Sequence, residues 1–510
     1  MVVYMIILIS IGLFYSKKSH SSEDFFLGGR RLGQWVTAMS AEASDMSSWL
    51  MMGLPGVAYL TGFGEAGWTA IGLAVGTYLN WLFVSKRLRR YSQIAGNAFT
   101  LPDFFSNRFH DNKRILMSLS AIFIIIFFTV YTASGFVSSG LLFNTILGFD
   151  YRIMMLVGAA VIVIYTTLGG FLADCTTDLI QGFWILIALI VITVIGISAA
   201  GGLSPVIDHA RSLPGFLDWF SVHSPSDNSA VPFTGLTIVS TLAWGLGYFG
   251  MPHILLRFMA IRNINEMRRS RVIATSWVIL SLGAAIMIGL VGAAVFPQVL
   301  AGRDSEKIFI YMSISYLSPV LAGLVLSGIL AATMSTSDSQ LLVTSSTVAQ
   351  NFLKGIFRKE ATEGMVMWIG RITIIIVAII AAVIAFDPHS SIFDIVSHAW
   401  AGFGATFGPL ILFSLFWRRS TFRGALAGMV GGGLLSLLWP PLIAPLAGVF
   451  AIYELLPAFI FSSLLIVGVS LTDKAPDQSV LNEFELARSS ESLNIITYPE
   501  RIKNTIQNHD

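Results

Sequence analysis

The stretch that decides the fold runs from Ser40 to Gly53 and reads SAEASDMSSWLMMG. It lies within apolar sequence, yet it carries Glu42, Ser44, Asp45, Ser47 and Ser48. A bilayer core holds no water, so polar groups survive there only when they are buried in protein or face a cavity. We predict a membrane-spanning helix that is broken here, whose freed carbonyl oxygens and hydroxyl groups form a cation and substrate site. The alternative is that these side chains only join neighbouring helices.

The composition of the whole chain agrees with a membrane protein. Of 510 residues, 55% are hydrophobic and 12% are charged, whereas soluble domains carry roughly 25% charged residues. The net charge is +2 and the basic residues are spread over short loops, so a nucleic-acid-binding patch is not expected. The single cysteine, Cys175, excludes an intramolecular disulfide framework and offers no cysteine metal cluster.

Apolar windows of about 20 residues predict an all-α integral membrane protein with thirteen spans. The spans are 1–15, 34–60, 66–85, 115–143, 152–172, 177–200, 233–259, 271–296, 319–353, 365–386, 393–417, 422–440 and 449–471. We interpret 1–15 as an uncleaved span, because Lys17 and Lys18 follow its apolar run, whereas a signal peptide has its basic residues before it.

The distribution of lysine and arginine predicts the orientation of the chain. With the amino terminus outside, the outer connections contain only Arg152, Arg211, Arg303 and Lys307, as the excess of basic residues in cytoplasmic loops requires. The connection 201–232 is rich in glycine, proline and serine and is interpreted as a loop with at most a short helix. The polar tail 472–510 is predicted to be a solvated cytoplasmic appendage, too short for a catalytic domain.

Two further segments interrupt the apolar pattern. TLAWGLGYFGMPH (Thr241 to His253) places three glycines and a proline in the seventh span, which predicts a kink or an unwound turn. The second and seventh spans lie five spans apart, as expected for a five-plus-five inverted repeat in which each half opens with a broken helix.

The other segment is LAATMSTSDS (Leu330 to Ser339) in the ninth span, which is rich in hydroxyl groups. Their helical spacing places Ala332, Ser335, Thr336 and Ser339 on one face, so that their oxygens can address the same partner.

These segments resemble motifs of the sodium:solute symporter family. The matching stretches are SAEASDMSSWLMMGLPG (40–56), TLPDFFSNRF (100–109), WGLGYFGMPHILLRFMA (244–260), MSTSDSQLLV (334–343) and HAWAGFGATFGP (398–409). The resemblance runs from about Glu23 to Pro476 with the motifs in the same order. It is strong because five separate motifs coincide.

The resemblance implies that spans two to eleven form an inverted-repeat core of the leucine-transporter type. The implied division is a first helix and loop, 1–33; a core, 34–417, with repeats 34–200 and 233–417; two peripheral helices, 418–471; and a cytoplasmic tail, 472–510. It also implies a sodium-coupled symporter of the bacterial plasma membrane that imports L-proline by alternating access. Another small amino acid or organic solute is the alternative substrate.

Carried over residue by residue, the family's sodium site comprises the carbonyl groups of Ala43, Met46 and Ala332 and the hydroxyl groups of Ser335 and Thr336. The resemblance also implies that Asp45 and Asp178 lie in the cation path. Oxygen ligands suit a hard cation, and an unwound turn supplies them without burying a full negative charge. The alternative for the two hydroxyl groups is a hydrogen bond to the carbonyl group one turn earlier, and for Asp178 an interfacial cap.

The family's substrate positions correspond to Ser47, Ser48, Tyr131, Trp244, Tyr248 and Pro252. A half-helix amino terminus favours the carboxylate of an amino acid, and aromatic faces suit its ring and its cationic amine. Simple aromatic packing is the alternative. Ser48 occupies a position at which glycine is usual in the family, so it adds a hydroxyl group beside the implied substrate and bears on the choice between proline and another small solute.

Two other classes of function deserve comparison. A membrane enzyme would use Asp45, Asp178, His253 and His398, but the sequence shows no HExxH pattern and no histidine that pairs with either aspartate. We therefore interpret the two histidines as structural and the protein as not an enzyme. A sensor would bind its solute without net transport, and any kinase would have to be a separate partner.

Overall fold

The computed structural model describes residues 4–6, 10–11, 26–357 and 361–489 and shows a bundle of long helices. The predicted first span, 1–15, lies largely outside the described residues, and so does the tail beyond Ser489. In the first half, the helices are α1 Gln34–Ser48, α2 Leu54–Thr61, α3 Phe63–Leu79, α4 Ser85–Ile94, α5 Leu101–Arg108, α6 Ile115–Leu147 and α7 Tyr151–Ala199.

The second half begins with a short helix and a hairpin and continues with longer helices. Its elements are α8 Leu203–Ser212, β1 Ser221–Ser224, β2 Ser229–Pro232, α9 Gly235–Leu242, α10 Pro252–Ala260, α11 Met267–Val295, α12 Ile308–Tyr316, α13 Pro319–Ser346, α14 Glu363–Ile384, α15 Ile392–Phe416, α16 Phe422–Leu438, α17 Leu455–Thr472 and α18 Gln478–Arg488.

Eight helices in the described part of the chain are long and apolar enough to cross a membrane. They are Ile115–Leu147, Gly169–Ala199, Ile264–Val295, Pro319–Leu353, Glu363–Ile384, Ile392–Phe416, Phe422–Leu446 and Leu455–Thr472. The predicted spans 34–60, 66–85, 152–172 and 233–259 consist of shorter helical pieces. The total of thirteen spans therefore stays a prediction.

The seventh predicted span is interrupted, as its glycines and proline indicate. Helix α9 passes into a 3₁₀ segment, Ala243–Gly250, and Met251 is extended, with φ −77° and ψ 111°. Pro252 then opens α10, a position at which the missing N–H group and the fixed φ of proline are tolerated. The predicted unwound turn is confirmed.

Two boundaries differ from the prediction. The break between the fifth and sixth spans was expected at 173–176 but lies at Gly170, with φ 69° and ψ 177°, because glycine adopts a positive φ without a steric penalty. The connection 201–232 contains the helix α8 and an antiparallel hairpin, in which Ser221 pairs with Pro232 and Ser224 with Ser229. The hairpin was not predicted, since its strands are only four residues long.

Two elements pack near the two ends of the third predicted span, 66–85. The segment before the hairpin contacts the residues at its start, and the tail helix α18 contacts α4, which follows its end. At its start, the Phe63 N–H group donates a hydrogen bond to the Phe216 carbonyl oxygen at 2.7 Å, just before the hairpin. At its end, α4 packs against α18 through Tyr91 and Phe484, whose ring centroids are 6.3 Å apart. The prediction of a solvated tail is thus wrong for α18, because Phe484 is only 4% exposed.

Candidate functional site

Helix α1 is broken at Ser47, inside the stretch that sequence analysis singled out. Ser47 has φ 49° and ψ −172°, outside the helical region. Its hydroxyl oxygen accepts a hydrogen bond from the Trp49 N–H group at 3.1 Å, and a π-helical turn, Trp49–Gly53, follows. Such a break releases backbone groups from helical pairing, and the predicted interruption of the second span is confirmed.

Helix α13 brings its hydroxyl groups to this break. The Ser335 hydroxyl group donates to the Ala43 carbonyl oxygen at 2.8 Å and to the Ala332 carbonyl oxygen at 3.2 Å. The Thr336 hydroxyl group is buried and has no hydrogen-bond partner in the described part of the protein. Buried polar atoms are normally paired. The unpaired Thr336 oxygen, which follows in sequence a hydroxyl group that contacts two carbonyl oxygens, therefore suits a small hard cation.

Met46 and Asp45 directly precede the break at Ser47, on the same side of it as Ala43. Both line a neighbouring cavity, and the Asp45 carbonyl oxygen accepts a hydrogen bond from the Tyr131 hydroxyl group at 3.0 Å. No contact described in the structure joins Met46 to Ser335 or Thr336. The sequence revealed no carboxylate partner for His253, but in the structure its Nε2 atom lies 4.0 Å from Asp45 Oδ1.

Asp178 belongs to a buried ionic cluster centred on Arg257. The Arg257 guanidinium group donates to Asp174 at 2.7 Å and to Asp178 at 3.2 Å. It also donates to the hydroxyl groups of Ser40 and Ser339. Sequence analysis named Asp178 but overlooked Arg257, although an arginine within a predicted span is itself a signal of a buried partner.

The cavity beside the break has an aromatic wall. Its lining residues are Asp45, Met46, Trp49, Leu73, Tyr131, Trp244, Val396 and Trp400. The indole rings of Trp49 and Trp244 have centroids 5.3 Å apart, and the Trp400 N–H group donates to the Trp244 carbonyl oxygen at 2.8 Å. Sequence analysis found Tyr131 and Trp244. It missed Trp49 and Trp400, although both lie within motifs that it quoted.

The remaining predicted substrate residues surround this cavity without lining it. Ser48 is buried and its hydroxyl group is unpaired among the described residues. Tyr248 packs edge-on against Trp400, with ring centroids 5.1 Å apart, and Pro252 is buried at the start of α10. Of these residues, Tyr248 contacts a side chain that lines the cavity. Their assignment as substrate contacts stays a prediction.

One side of the cavity is covered by the first turn of α15. Phe393 packs on Trp49 and Trp244, with centroids 5.9 and 5.5 Å away. Glu306, from a loop before α12, accepts hydrogen bonds from the N–H groups of Ile392 and Phe393 at 3.0 and 2.9 Å. Burial raises the pKa of Glu306, whereas these hydrogen bonds favour its carboxylate form. The loop thus fixes Phe393 over the cavity.

His398 also has an acidic partner that the sequence did not reveal. Its Nδ1 atom lies 2.6 Å from Glu454 Oε1, and Glu454 is 7% exposed in its side chain. The partner comes from the connection to α17, far away in sequence. The interpretation of His398 as structural remains compatible with this pair.

With this geometry established, comparison with known proteins gives the class. Residues 25–432 match the Sodium:solute symporter family, and the chain belongs to this family. The High-affinity proline transporter PutP of Bacillus subtilis (strain 168) is 43% identical over 476 residues, which cover 93% of this chain and 98% of that protein. The Sodium/proline symporter of Escherichia coli (strain K12) is 42% identical, with 94% of each chain covered. These relatives are transporters and not enzymes.

Solved structures of similar shape confirm the predicted fold. A Na⁺-coupled sialic acid symporter in a substrate-bound outward-open state superposes with a TM-score of 0.75 at 18% identity, covering 93% of this chain and 97% of that chain. MHP1, a nucleobase-cation-symport-1 family transporter, gives 0.51 at 12% identity, covering 90% and 98%. The chain is a multi-pass membrane protein with the leucine-transporter-type fold.

Proposed function

We propose that this protein imports L-proline together with sodium by alternating access across a bacterial plasma membrane. The amino terminus lies outside and the carboxyl terminus in the cytoplasm. The names of the relatives that are 43% and 42% identical support both the solute and the ion. The observation in this chain that carries the proposal is the Ser335 hydroxyl group 2.8 Å from the Ala43 carbonyl oxygen. The next residue, Thr336, has a buried hydroxyl oxygen without a hydrogen-bond partner among the described residues.

Sodium binds where the broken helix α1 meets α13. Its ligands are the carbonyl groups of Ala43, Met46 and Ala332 and the hydroxyl groups of Ser335 and Thr336. Because this set joins two helices, sodium orders the break and stabilises the outward-open state. Asp45 and Asp178 lie along the cation path. The bundle then rocks, and both substrates leave on the cytoplasmic side.

Proline binds in the adjacent cavity. Its carboxylate points to the N–H groups of the turn Trp49–Gly53, because the amino-terminal end of a helical segment favours an anion. Its ring and ammonium group lie against Trp244 and Tyr131. Ser47, Ser48, Tyr248 and Pro252 shape the surrounding shell. The proposed transport core spans 34–417, with repeats 34–200 and 233–417, a first helix and loop at 1–33, peripheral helices at 418–471 and a tail at 472–510.

The sodium gradient is sufficient for accumulation. One charge that crosses roughly 100 mV supplies about 2.3 kcal/mol, and a tenfold sodium gradient supplies about 1.4 kcal/mol more. At one-to-one coupling, this drives an accumulation of several hundred-fold. ATP is therefore not required.

Uptake in proteoliposomes tests the proposal. We expect labelled L-proline to accumulate when a sodium gradient is imposed and not when potassium replaces sodium. Competition by a panel of small amino acids and organic solutes identifies the substrate. A panel solute that is imported in place of proline would overturn the assignment of proline, and binding without net flux would indicate a sensor.

The sodium site is tested separately with a matched pair of variants. Thr336→Ala removes an unpaired hydroxyl group at the proposed site. Thr344→Ala removes a buried hydroxyl group on the same helix. That hydroxyl group donates to the Gln340 carbonyl oxygen, one turn earlier in the helix, at 2.8 Å. We expect the first variant to need at least about tenfold more sodium for half-maximal uptake, as expected from the loss of about 1.4 kcal/mol, and the second to match the wild type. Equal sodium dependence in both would contradict the site.

A further inference from the structure

The segment between α16 and α17 reaches the wall of the substrate cavity. Tyr453 lies two residues before α17, and its ring stacks on the Trp244 indole with centroids 5.1 Å apart and planes at 20°. Trp244 lines the cavity, whereas Tyr453 does not. A residue of the predicted peripheral helices therefore supports a side chain of the candidate substrate site from behind.

Two hydrogen bonds fix Tyr453 to the elements that carry the aromatic wall. Its N–H group donates to the Ser240 hydroxyl oxygen at 2.7 Å, one helical turn before Trp244. Its hydroxyl group donates to the Ser397 carbonyl oxygen at 2.8 Å, three residues before Trp400. Tyr453 thus connects α9, which leads into the 3₁₀ segment that carries Trp244, with α15, which carries Trp400 into the same cavity.

The residues that follow hold this segment in place. The Leu455 side chain is fully buried, and a methyl group added at Gly404 of α15 would lie 2.6 Å from it. Glu454 pairs with His398 of α15 at 2.6 Å. The position of Tyr453 relative to α15 is therefore determined by three consecutive residues.

We propose that Tyr453 is a positioning residue for the solute, an inference that rests on the proposed function. A ring that is already held in its binding orientation loses less conformational freedom when the solute arrives. Tyr453 restricts the Trp244 indole in this way through its stack. The two helices outside the inverted repeat thereby contribute to solute affinity and not only to the stability of the bundle.

Initial rates of labelled proline uptake at saturating sodium test this role. Tyr453→Leu removes the stacked ring and the hydroxyl group, and we expect it to raise KM about three- to tenfold, as an aromatic pair predicts, with Vmax within about twofold of the wild type. Tyr453→Phe keeps the ring and loses only the bond to Ser397, so its KM should stay within about twofold. The control is Phe450→Leu, at a residue 41% exposed that pairs with Trp439, and it should match the wild type.

A double-mutant cycle tests whether Tyr453 acts through Trp244. The dissociation constant of proline is measured by scintillation proximity on purified protein for Trp244→Leu, Tyr453→Leu and the double variant. In the Trp244→Leu background, we expect Tyr453→Leu to change the dissociation constant of proline less than twofold, since the effects of coupled residues are non-additive. Additive effects would overturn the proposal, and so would a lower Vmax with an unchanged KM or an equal KM rise in Phe450→Leu.

The wild-type measurement separates this inference from the function on which it rests. If the wild type imports a different solute of the panel, the assignment of proline is overturned. The same variants measured with that solute then decide the role of Tyr453. A wild type that imports none of the solutes overturns both.

Discussion

Arg257 shows how a full charge is accommodated inside this bundle. Its side chain is fully buried, and its hydrogen-bond partners among the described residues come from other helices or from the His253 carbonyl group one turn earlier in α10. Asp174 and Asp178 supply the opposite charges, and Ser40 and Ser339 supply further hydrogen bonds. Removing one member of such a group leaves an uncompensated buried charge, which is more damaging than removing the whole group.

Arg257→Met should therefore destabilise the protein strongly, by about 3–5 kcal/mol. The melting temperature in detergent and the amount of protein in the membrane measure the effect. Arg262→Met is the control, because that side chain is 60% exposed and pairs with Glu266 on the protein surface. Its loss should cost no more than about 1 kcal/mol.

Neutralising the partners of Arg257 provides a second measurement. Asp174→Asn and Asp178→Asn combined with Arg257→Met should recover part of the lost melting temperature, since neither aspartate is then left as a buried charge without the arginine. A triple variant that melts below Arg257→Met would show that charge pairing is not what stabilises this cluster.

At the scale of elements, glycines let α3 approach the 3₁₀ segment of the seventh span. A methyl group added at Gly72 would lie 2.6 Å from the Leu242 carbonyl oxygen, and one added at Gly76 would overlap the Gly245 carbonyl oxygen. Gly245 is the residue after Trp244, which lines the cavity. The close approach of α3 therefore affects the position of the Trp244 side chain. The glycines are required here by backbone contact and not by a turn.

Gly76→Ala should separate these two elements. We expect a loss of about 1–3 kcal/mol of stability from overpacking and a higher KM for the solute, because the Trp244 wall shifts. The control is Gly283→Ala in α11, where an added methyl group meets nothing within 4 Å and alanine favours the helix. Thermal melting and uptake kinetics of both variants measure these effects. Equal melting temperatures and equal KM values in Gly76→Ala and Gly283→Ala would refute the role of the close approach.

Glu306 ties a loop to the first turn of α15, which covers the cavity. Glu306→Ala would leave the N–H groups of Ile392 and Phe393 without their acceptor, at a cost of about 1–3 kcal/mol for an unsatisfied buried group. We expect Phe393 to become mobile, and amide hydrogen exchange at the start of α15 to accelerate. Asp304→Ala is the control, since its carboxylate is 62% exposed and contacts Lys307. Unchanged exchange in Glu306→Ala would contradict this contact.

At the scale of the whole molecule, the tail helix joins the ends of separate parts of the core. Phe484 of α18 lies under the Arg108 guanidinium group, 5.3 Å from its carbon, and Arg90 of α4 donates to the Ser489 carbonyl oxygen at 2.6 Å. Arg108 in turn donates to the Ser414 carbonyl oxygen of α15 at 3.0 Å. The tail thereby covers a junction of α4, α5 and α15.

Phe484→Ala should release this helix. Loss of a buried phenylalanine costs about 3–5 kcal/mol, and a helix of 11 residues is only marginally stable by itself. We expect faster amide exchange across Gln478–Arg488 and little change in the membrane-spanning helices. Leu486→Ala, at a residue 40% exposed on the same helix, should retain protection. Equal exchange in both variants would mean that Phe484 does not hold the tail.

The sequence alone determined the class of fold and the position of the breaks. Long apolar runs specify membrane helices, and clusters of polar residues or glycines within such runs specify where a helix is interrupted, because both signals are local in the chain. The breaks at Ser47 and in Ala243–Gly250 were predicted for this reason. The family motifs then added the set of proposed sodium and solute residues, which stays a prediction.

Only the tertiary structure decided which side chains meet. Asp174, one of the partners of Arg257, lies 83 residues away from it, and His398 and Glu454 are 56 residues apart, so local periodicity contains no information about either pair. The same holds for Trp49, Trp400 and Tyr453 around Trp244, and for Phe484 in a tail that composition describes as solvated. Hydropathy fixes which residues leave water, but the packing of whole helices against one another fixes what each of them contacts.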